Sequence, residues 1–180
     1  MQFLDNKEIN YRADEEKNQI VTGSKTLNYT DSNGYHVITI VVLLEEDGEY
    51  IKIFAPNCYH YPPDGPYRSE IFQACLMISW RTKSIQYEYD VSDGEIRCII
   101  EFPLEDALLT EKQLMRCIYG IVTVTDKYDE MIRTAMNTGE IKLPDEESHD
   151  ELMKAFREFL EQRKQEKRGS SGSTGIDLDE

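Results

Sequence analysis

Asp90, Asp93, Glu95, Glu101, Glu105 and Asp106 gather around Gly94 in the stretch YDVSDGEIRCIIEFPLEDALLTEKQL, residues 89–114. Carboxylates at this density could hold a calcium ion or act as an acid/base pair. An EF-hand loop needs side-chain oxygens at its first, third and fifth positions, glycine at the sixth and a bidentate glutamate at the twelfth. With Gly94 at the sixth position Tyr89 becomes the first ligand, so the register fails. As catalytic carboxylates, Glu88, Asp90, Asp93 and Glu95 lack a reason for raised pKa values, because acids at strand ends and turns are solvated. The reading that remains is structural. Asp93-Gly94 is turn chemistry between two strands, and PLEDALLTEKQ is a connection that leads into a helix cap.

The second candidate is APNCYHYPPDGPY, residues 55–67. Cys58, His60 and Asp64 supply the types needed for a thiol nucleophile, its base and an orienting acid, and Cys75 could join them as a metal ligand. Neither arrangement has a recognised spacing, and a zinc site needs about four ligands. The plain reading is a proline-stiffened loop. Tyr59, Tyr61 and Tyr67 on such a loop form a candidate docking surface for a peptide or protein. Elsewhere the chain has no Gly-rich phosphate loop, no G-x-S-x-G and no H-E-x-x-H, and His36, His60 and His149 stand far apart. Trp80 reads as core. No catalytic residue, metal ligand or cofactor is therefore expected; a small thiol enzyme built on Cys58 and His60 is the alternative.

Composition narrows the classes further. The net charge of −15 over 180 residues disfavours phosphate partners, and the one basic cluster, RKQEKR at 163–168, falls where cations complement a helix C-terminus. No nucleic-acid binding is expected. The longest apolar run, VITIVVLL at 37–44, is far shorter than the ~18 residues of a membrane span, so it reads as a core strand. Cys58, Cys75, Cys98 and Cys117 are widely spaced, without C-x-x-C or a secretory leader, which points to a reduced, cytoplasmic chain.

Three hairpins organise the first hundred residues: YRADEEKNQIVTG around EEKN, VVLLEEDGEYIKIFAP around Asp47-Gly48, and IQYEYDVSDGEIRCIIEF around Asp93-Gly94. In the third, Ile85, Tyr87 and Tyr89 oppose Gln86, Glu88 and Asp90, and Ile96, Cys98, Ile100 and Phe102 oppose Arg97 and Glu101, which leaves one side wet. Strand 36–44 is apolar on both faces and needs cover on both. Pro66 opens a helix running to 83, apolar around most of its girth. Thr110 and Gln113 form a capping box for a long helix ending at Gly139, despite the strand propensity of IVTVT at 121–125. Ser148 and Glu151 repeat the box before a third helix, 149–168, whose stripe of Leu152, Phe156, Phe159 and Leu160 is a candidate docking face. The order gives an α+β class: an antiparallel sheet built from hairpins with helices packed on one face. Apolar excess on helix 66–83 and strand 36–44 predicts a homodimer.

The succession VVLLEEDGEYIKIFAP, IFQACLMISW and YEYDVSDGEIRCIIEFPLEDALLTEKQLMRCI resembles the YbjN family of bacterial proteins, over roughly residues 8–140. The resemblance implies a dimeric α+β domain similar to type III secretion chaperones, described in that family as a putative sensory transduction regulator, without an established enzymatic activity. Two features depart from it. Only MQFLDNK precedes the first strand, where the chaperone fold opens with a substantial helix, and the chain extends beyond the region of resemblance. The expected organisation is a YbjN-like domain at 1–144, an amphipathic helix within 145–168 and a flexible acidic tail at 169–180. The expected function is a non-enzymatic, chaperone-like protein-binding or regulatory module with a protein or peptide partner; a purely structural subunit of a larger complex is a further alternative.

Overall fold

The computed structural model describes residues 2–144. A short helix α1 (Gln2–Asn6) leads into β1 (Tyr11–Asp14) and β2 (Gln19–Lys25), followed by β3 (Val37–Glu45) and β4 (Tyr50–His60). Helix α2 (Arg68–Arg81), strands β5 (Gln86–Tyr89) and β6 (Glu95–Pro103), and helix α3 (Glu111–Thr138) complete the described chain. All three expected hairpins form. The strands make one antiparallel sheet in the order β1-β2-β3-β4-β6-β5, so the excursion through α2 returns β6 to the side of β4 and leaves β5 at the edge. The class is α+β, as the hairpin pattern predicts.

Register explains the core. Val42 lies opposite Ile53 and Ile53 opposite Ile100, which places Ile38, Ile40 and Val42, Ile51, Ile53 and Ala55, and Ile96, Cys98 and Ile100 on one face. All nine are buried; α3 packs over β4 and β6, and α2 packs against α3 and β5. Gly120 marks the close approach of α3, since a Cβ there would sit 3.7 Å from the tips of both Ile100 and Ile85. Helix α3 is a single helix through IVTVT. Ile121, Val122, Thr123, Val124 and Thr125 are all buried, so packing overrides their intrinsic preference for strand. Its ends follow local rules: the Thr110–Gln113 capping box is made in both directions, and Gly139 closes the helix at φ 76° with its N–H on the Ala135 carbonyl.

The opposite face differs from expectation. Val21, Val41, Phe54 and Ile99 line up across it, and Ile99 is only 1% exposed although Arg97 and Glu101 flank it on the same side. The Arg97 guanidinium lies 5.1 Å from the Phe54 ring centre while pairing with Glu88, and Lys52 pairs with Glu45 at 2.8 Å. Same-face neighbours thus supply much of the second cover that strand 36–44 requires, and the third hairpin is not simply wet on its outer side.

Two boundaries also shift. Helix α2 starts at Arg68, after Pro66, and stops at Arg81. Strand β4 runs to His60, so the first half of the expected loop 55–67 belongs to the sheet.

Candidate protein-binding site

Helix α2 shows why periodicity alone misleads. Its inward side carries Ile71, Ala74, Cys75 and Ile78, all buried. Its outward side carries Phe72, Gln73, Leu76, Met77 and Trp80, which with Ser69 and Arg81 line a shallow apolar groove. Leu76 is 71% and Trp80 90% exposed. The expectation that Trp80 is core is therefore corrected. A helix apolar around most of its girth has more apolar surface than one sheet face can cover, and here the bulkiest side chain is on the uncovered side. Single exposed apolar residues are ordinary, whereas a contiguous group centred on an indole marks an interaction surface.

The tyrosines of 55–67 have a different role from the one expected. Asn57 sits at φ 50°, inside the register shift between Ala55 and Tyr59, and the two extra residues of this bulge leave Tyr59 on the same helix-covered face as Ala55. Tyr59 is 4% exposed, and its hydroxyl donates to Asp129 at 3.1 Å. Tyr61 is 7% exposed; its hydroxyl accepts the Tyr67 N–H at 2.9 Å and its ring packs directly on Gly65. Tyr67 is half-buried, with its ring against Gly139. Tyr61 and Tyr67 form an internal clasp between the end of β4 and the ends of α2 and α3, while Tyr59 is anchored separately on Asp129 of α3, so Tyr59 and Tyr61 are not presented to a partner. Leu152, Phe156, Phe159 and Leu160, together with His149 and helix 149–168, lie outside the described residues.

The thiol reading loses its nucleophile. The Cys58 thiol is buried, donates to the Ala55 carbonyl at 3.3 Å, and is pushed up to about 12 by burial. A thiol in that state is almost entirely protonated at neutral pH. His60 and Asp64 are exposed at the surface, away from that interior. Cys75 is likewise raised to about 12, and Cys98 lies well above the ordinary thiol range, both through burial. Cys117 is the one thiol with partial exposure. Under native conditions a maleimide should therefore label Cys117 first, with Cys58, Cys75 and Cys98 reacting on the timescale of unfolding; rapid native labelling of Cys58 would revive the nucleophile.

The acidic stretch is a turn. Asp90 accepts the backbone N–H and hydroxyl of Ser92 at 2.8 and 2.7 Å, which lowers its pKa, and the Gly94 N–H reaches the Asp90 carbonyl at 2.8 Å. Glu95 accepts the Asn57 N–H across the sheet at 2.8 Å and so fastens the bulge. Among the described residues no group of three or more His, Cys, Asp or Glu side chains is arranged to hold a metal ion.

Sequence reasoning missed a polar hub on α3. Asp126 accepts the backbone N–H groups of Leu27, Asn28 and Tyr29 at 2.8–3.0 Å, which ties the β2–β3 connection to the helix. Two turns on, Arg133 donates to both oxygens of the buried Asp129 and to the Thr30 carbonyl, and its guanidinium lies 5.7 and 5.6 Å from the ring centres of Tyr29 and Tyr59. Burial raises the Asp129 pKa while Arg133 and Tyr59 oppose that rise. The i, i+4 spacing of Asp129 and Arg133 was the available signal, but it equally describes an ordinary surface pair. The hub ties the β2–β3 connection and the end of β4 to α3.

No family model matches the chain, and no curated protein matches it. Among solved structures it is similar to a chain of the HopA1–SchA chaperone–effector complex, at 11% identity and a TM-score of 0.48, covering 72% of this chain and 88% of that one. It is also similar to a chain of the ExsC–ExsE complex, at 12% identity and a TM-score of 0.47, covering 73% and 88% respectively.

Proposed function

We propose that this chain is a non-enzymatic, chaperone-like protein-binding module, and that the outer face of α2 is where another protein chain docks. One observation carries the reading: Leu76 and Trp80 stand in solvent beside Phe72 and Met77, on a helix whose other side is anchored in the core. A rigid helix displaying an indole gives a partner contact area at low entropic cost. The residues quoted above as resembling the YbjN family support kinship with that family of proposed regulators and a dimeric state. The four unpaired thiols agree with a reducing, cytoplasmic setting. Among the described residues no helix is long and apolar enough to cross a membrane.

The experiment is affinity capture from the native cell with the wild type and with Leu76→Asp. Leu76 is exposed, so the substitution should leave melting within about 0.5 kcal/mol of wild type while removing the captured protein. A variant that folds normally and still retains every partner would refute docking on α2.

A further inference from the structure

We propose that Asn33 is a site of spontaneous deamidation, kept closed by the turn that Asp31 organises and opened whenever that turn comes apart. Of the seven asparagines in the chain, Asn33 alone is followed by glycine, and it is exposed in the β2–β3 connection. The glycine matters because the attacking atom is its backbone nitrogen. A side chain on the following residue crowds that attack, whereas Gly34 has none, and nothing lies within 4 Å of where its Cβ would be.

The chemistry needs only water. The Gly34 nitrogen bonds to Asn33 Cγ, the Cγ–Nδ2 bond breaks, and the amide group leaves as ammonia, carrying the proton that the Gly34 nitrogen gives up. Water then opens the resulting succinimide ring at one of its two carbonyls. Opening at Cγ gives an ordinary aspartate at 33. Opening at the main-chain carbonyl gives isoaspartate, whose backbone runs through the former side chain and is one methylene longer. Neither branch involves a change of oxidation state.

The folded turn opposes the first step through geometry and through charge. The Gly34 N–H donates to the Asp31 carbonyl at 3.0 Å, while one oxygen of the Asp31 carboxylate accepts the Asn33 N–H at 2.9 Å and the Tyr35 N–H at 2.8 Å. Bringing the Gly34 nitrogen onto Cγ rotates the Asn33–Gly34 peptide and takes its N–H off that carbonyl, and the two carboxylate bonds on either side resist the rotation. The side-chain amide is held by the same group, with Asn33 Nδ2 3.5 Å from the other Asp31 oxygen. The attacking nitrogen must also shed its proton. The Tyr35 N–H, and then that of Asn33, hold the Asp31 carboxyl below its ordinary range, so it stays ionised and disfavours negative charge beside it.

Both products weaken the turn. A carboxylate at 33 faces that of Asp31 where an amide had donated, and the added methylene of isoaspartate displaces the Gly34 and Tyr35 N–H groups from their acceptors. The connection that Asp126 and Arg133 fasten to α3 then lacks its internal bracing. Deamidation thus marks, irreversibly, a chain whose turn has opened.

The test incubates the full chain at neutral pH and physiological temperature and reads deamidation at each asparagine by peptide mass spectrometry. Its three arms are the native wild type, the wild type in guanidinium, and native Asp31→Ala. In guanidinium Asn33 should deamidate fastest of the seven asparagines. The native wild type should be slower at Asn33 by about tenfold or more, and Asp31→Ala, which removes both charge-assisted bonds, should recover most of the difference. Native protein that has acquired isoaspartate at 33 should also exchange its amide hydrogens across 31–35 faster than the unmodified chain. Far-UV circular dichroism shows whether Asp31→Ala folds; if it does not, the comparison of native with unfolded wild type decides alone. A native rate at Asn33 equal to the unfolded one, a folded Asp31→Ala that deamidates no faster than wild type, or another asparagine that leads in guanidinium would each overturn the proposal.

Discussion

Gly94→Ala is expected to destabilise the protein by about 3 kcal/mol, a fall of roughly 6–12 °C in Tm. Gly94 sits at φ 86°, where any other L-residue costs about 1–2 kcal/mol. Space is also lacking. A Cβ there would fall inside the van der Waals envelope of the Tyr61 carbonyl oxygen, which is backbone and cannot rotate away. Moving it would break the 2.8 Å bond from the Tyr61 N–H to the Gly94 carbonyl, the link that fastens the end of β4 to the β5–β6 turn. Gly34→Ala is the control. Gly34 has a similar φ of 81° but open space around it, so its loss should stay near the conformational cost alone. Equal losses at the two sites in thermal melts would show that the clasp at Tyr61 yields freely.

Arg133→Met should cost about 2–4 kcal/mol at neutral pH, since it removes the counter-ion of a buried carboxylate while keeping an apolar stem of similar length. The figure stands below that of a fully buried pair because the guanidinium is part-exposed. Asp129 would keep only the Tyr59 hydroxyl, at 3.1 Å, and the Thr30 carbonyl would lose its donor. The loss should depend on pH in a definite direction. Burial, the dominant influence, already holds the folded pKa of Asp129 above its ordinary value, and removal of Arg133 raises it further. A carboxyl that binds its proton more tightly in the folded than in the unfolded state favours folding at low pH, and that contribution is lost as pH rises through the folded pKa. The gap between variant and wild type should therefore be widest near neutrality and narrow as pH falls toward the ordinary carboxylate range. Paired thermal melts across that range provide the check. A gap that does not change with pH would trace the loss to packing of the Arg133 stem against Tyr29 and Tyr59.

The sequence by itself determined those elements whose instructions are local. Helix α3 was legible from end to end, because Thr110 with Gln113 and Gly139 act within one turn of the backbone they cap. The Asp47-Gly48 and Asp93-Gly94 turns were legible for the same reason, with glycine supplying positive φ at 100° and 86°. Together with period-two alternation these signals specified an antiparallel, hairpin-built sheet with helices, and they identified the acid-rich stretch at 89–114 as a turn and a cap.

Tertiary structure decided what depends on partners remote in the chain. Residues 55–60 are strand because β6, some forty residues later, offers a ladder to them, and the Asn57 bulge, fastened by Glu95, keeps Tyr59 on the face the helices cover. No property of APNCYHYPPDGPY read alone distinguishes that from a loop bearing exposed tyrosines. Asp129, itself buried, and the part-exposed Arg133 became a hub through Tyr29, Thr30 and Tyr59, which arrive from two other parts of the chain. Helix α2 is the sharpest case. Its sequence is apolar on several sides, and hydrophobicity has no direction of its own, so the choice of inward face fell to the sheet behind it. That choice buried Ile71, Ala74, Cys75 and Ile78 and left Leu76 and Trp80 in water, the surface on which the proposed function rests.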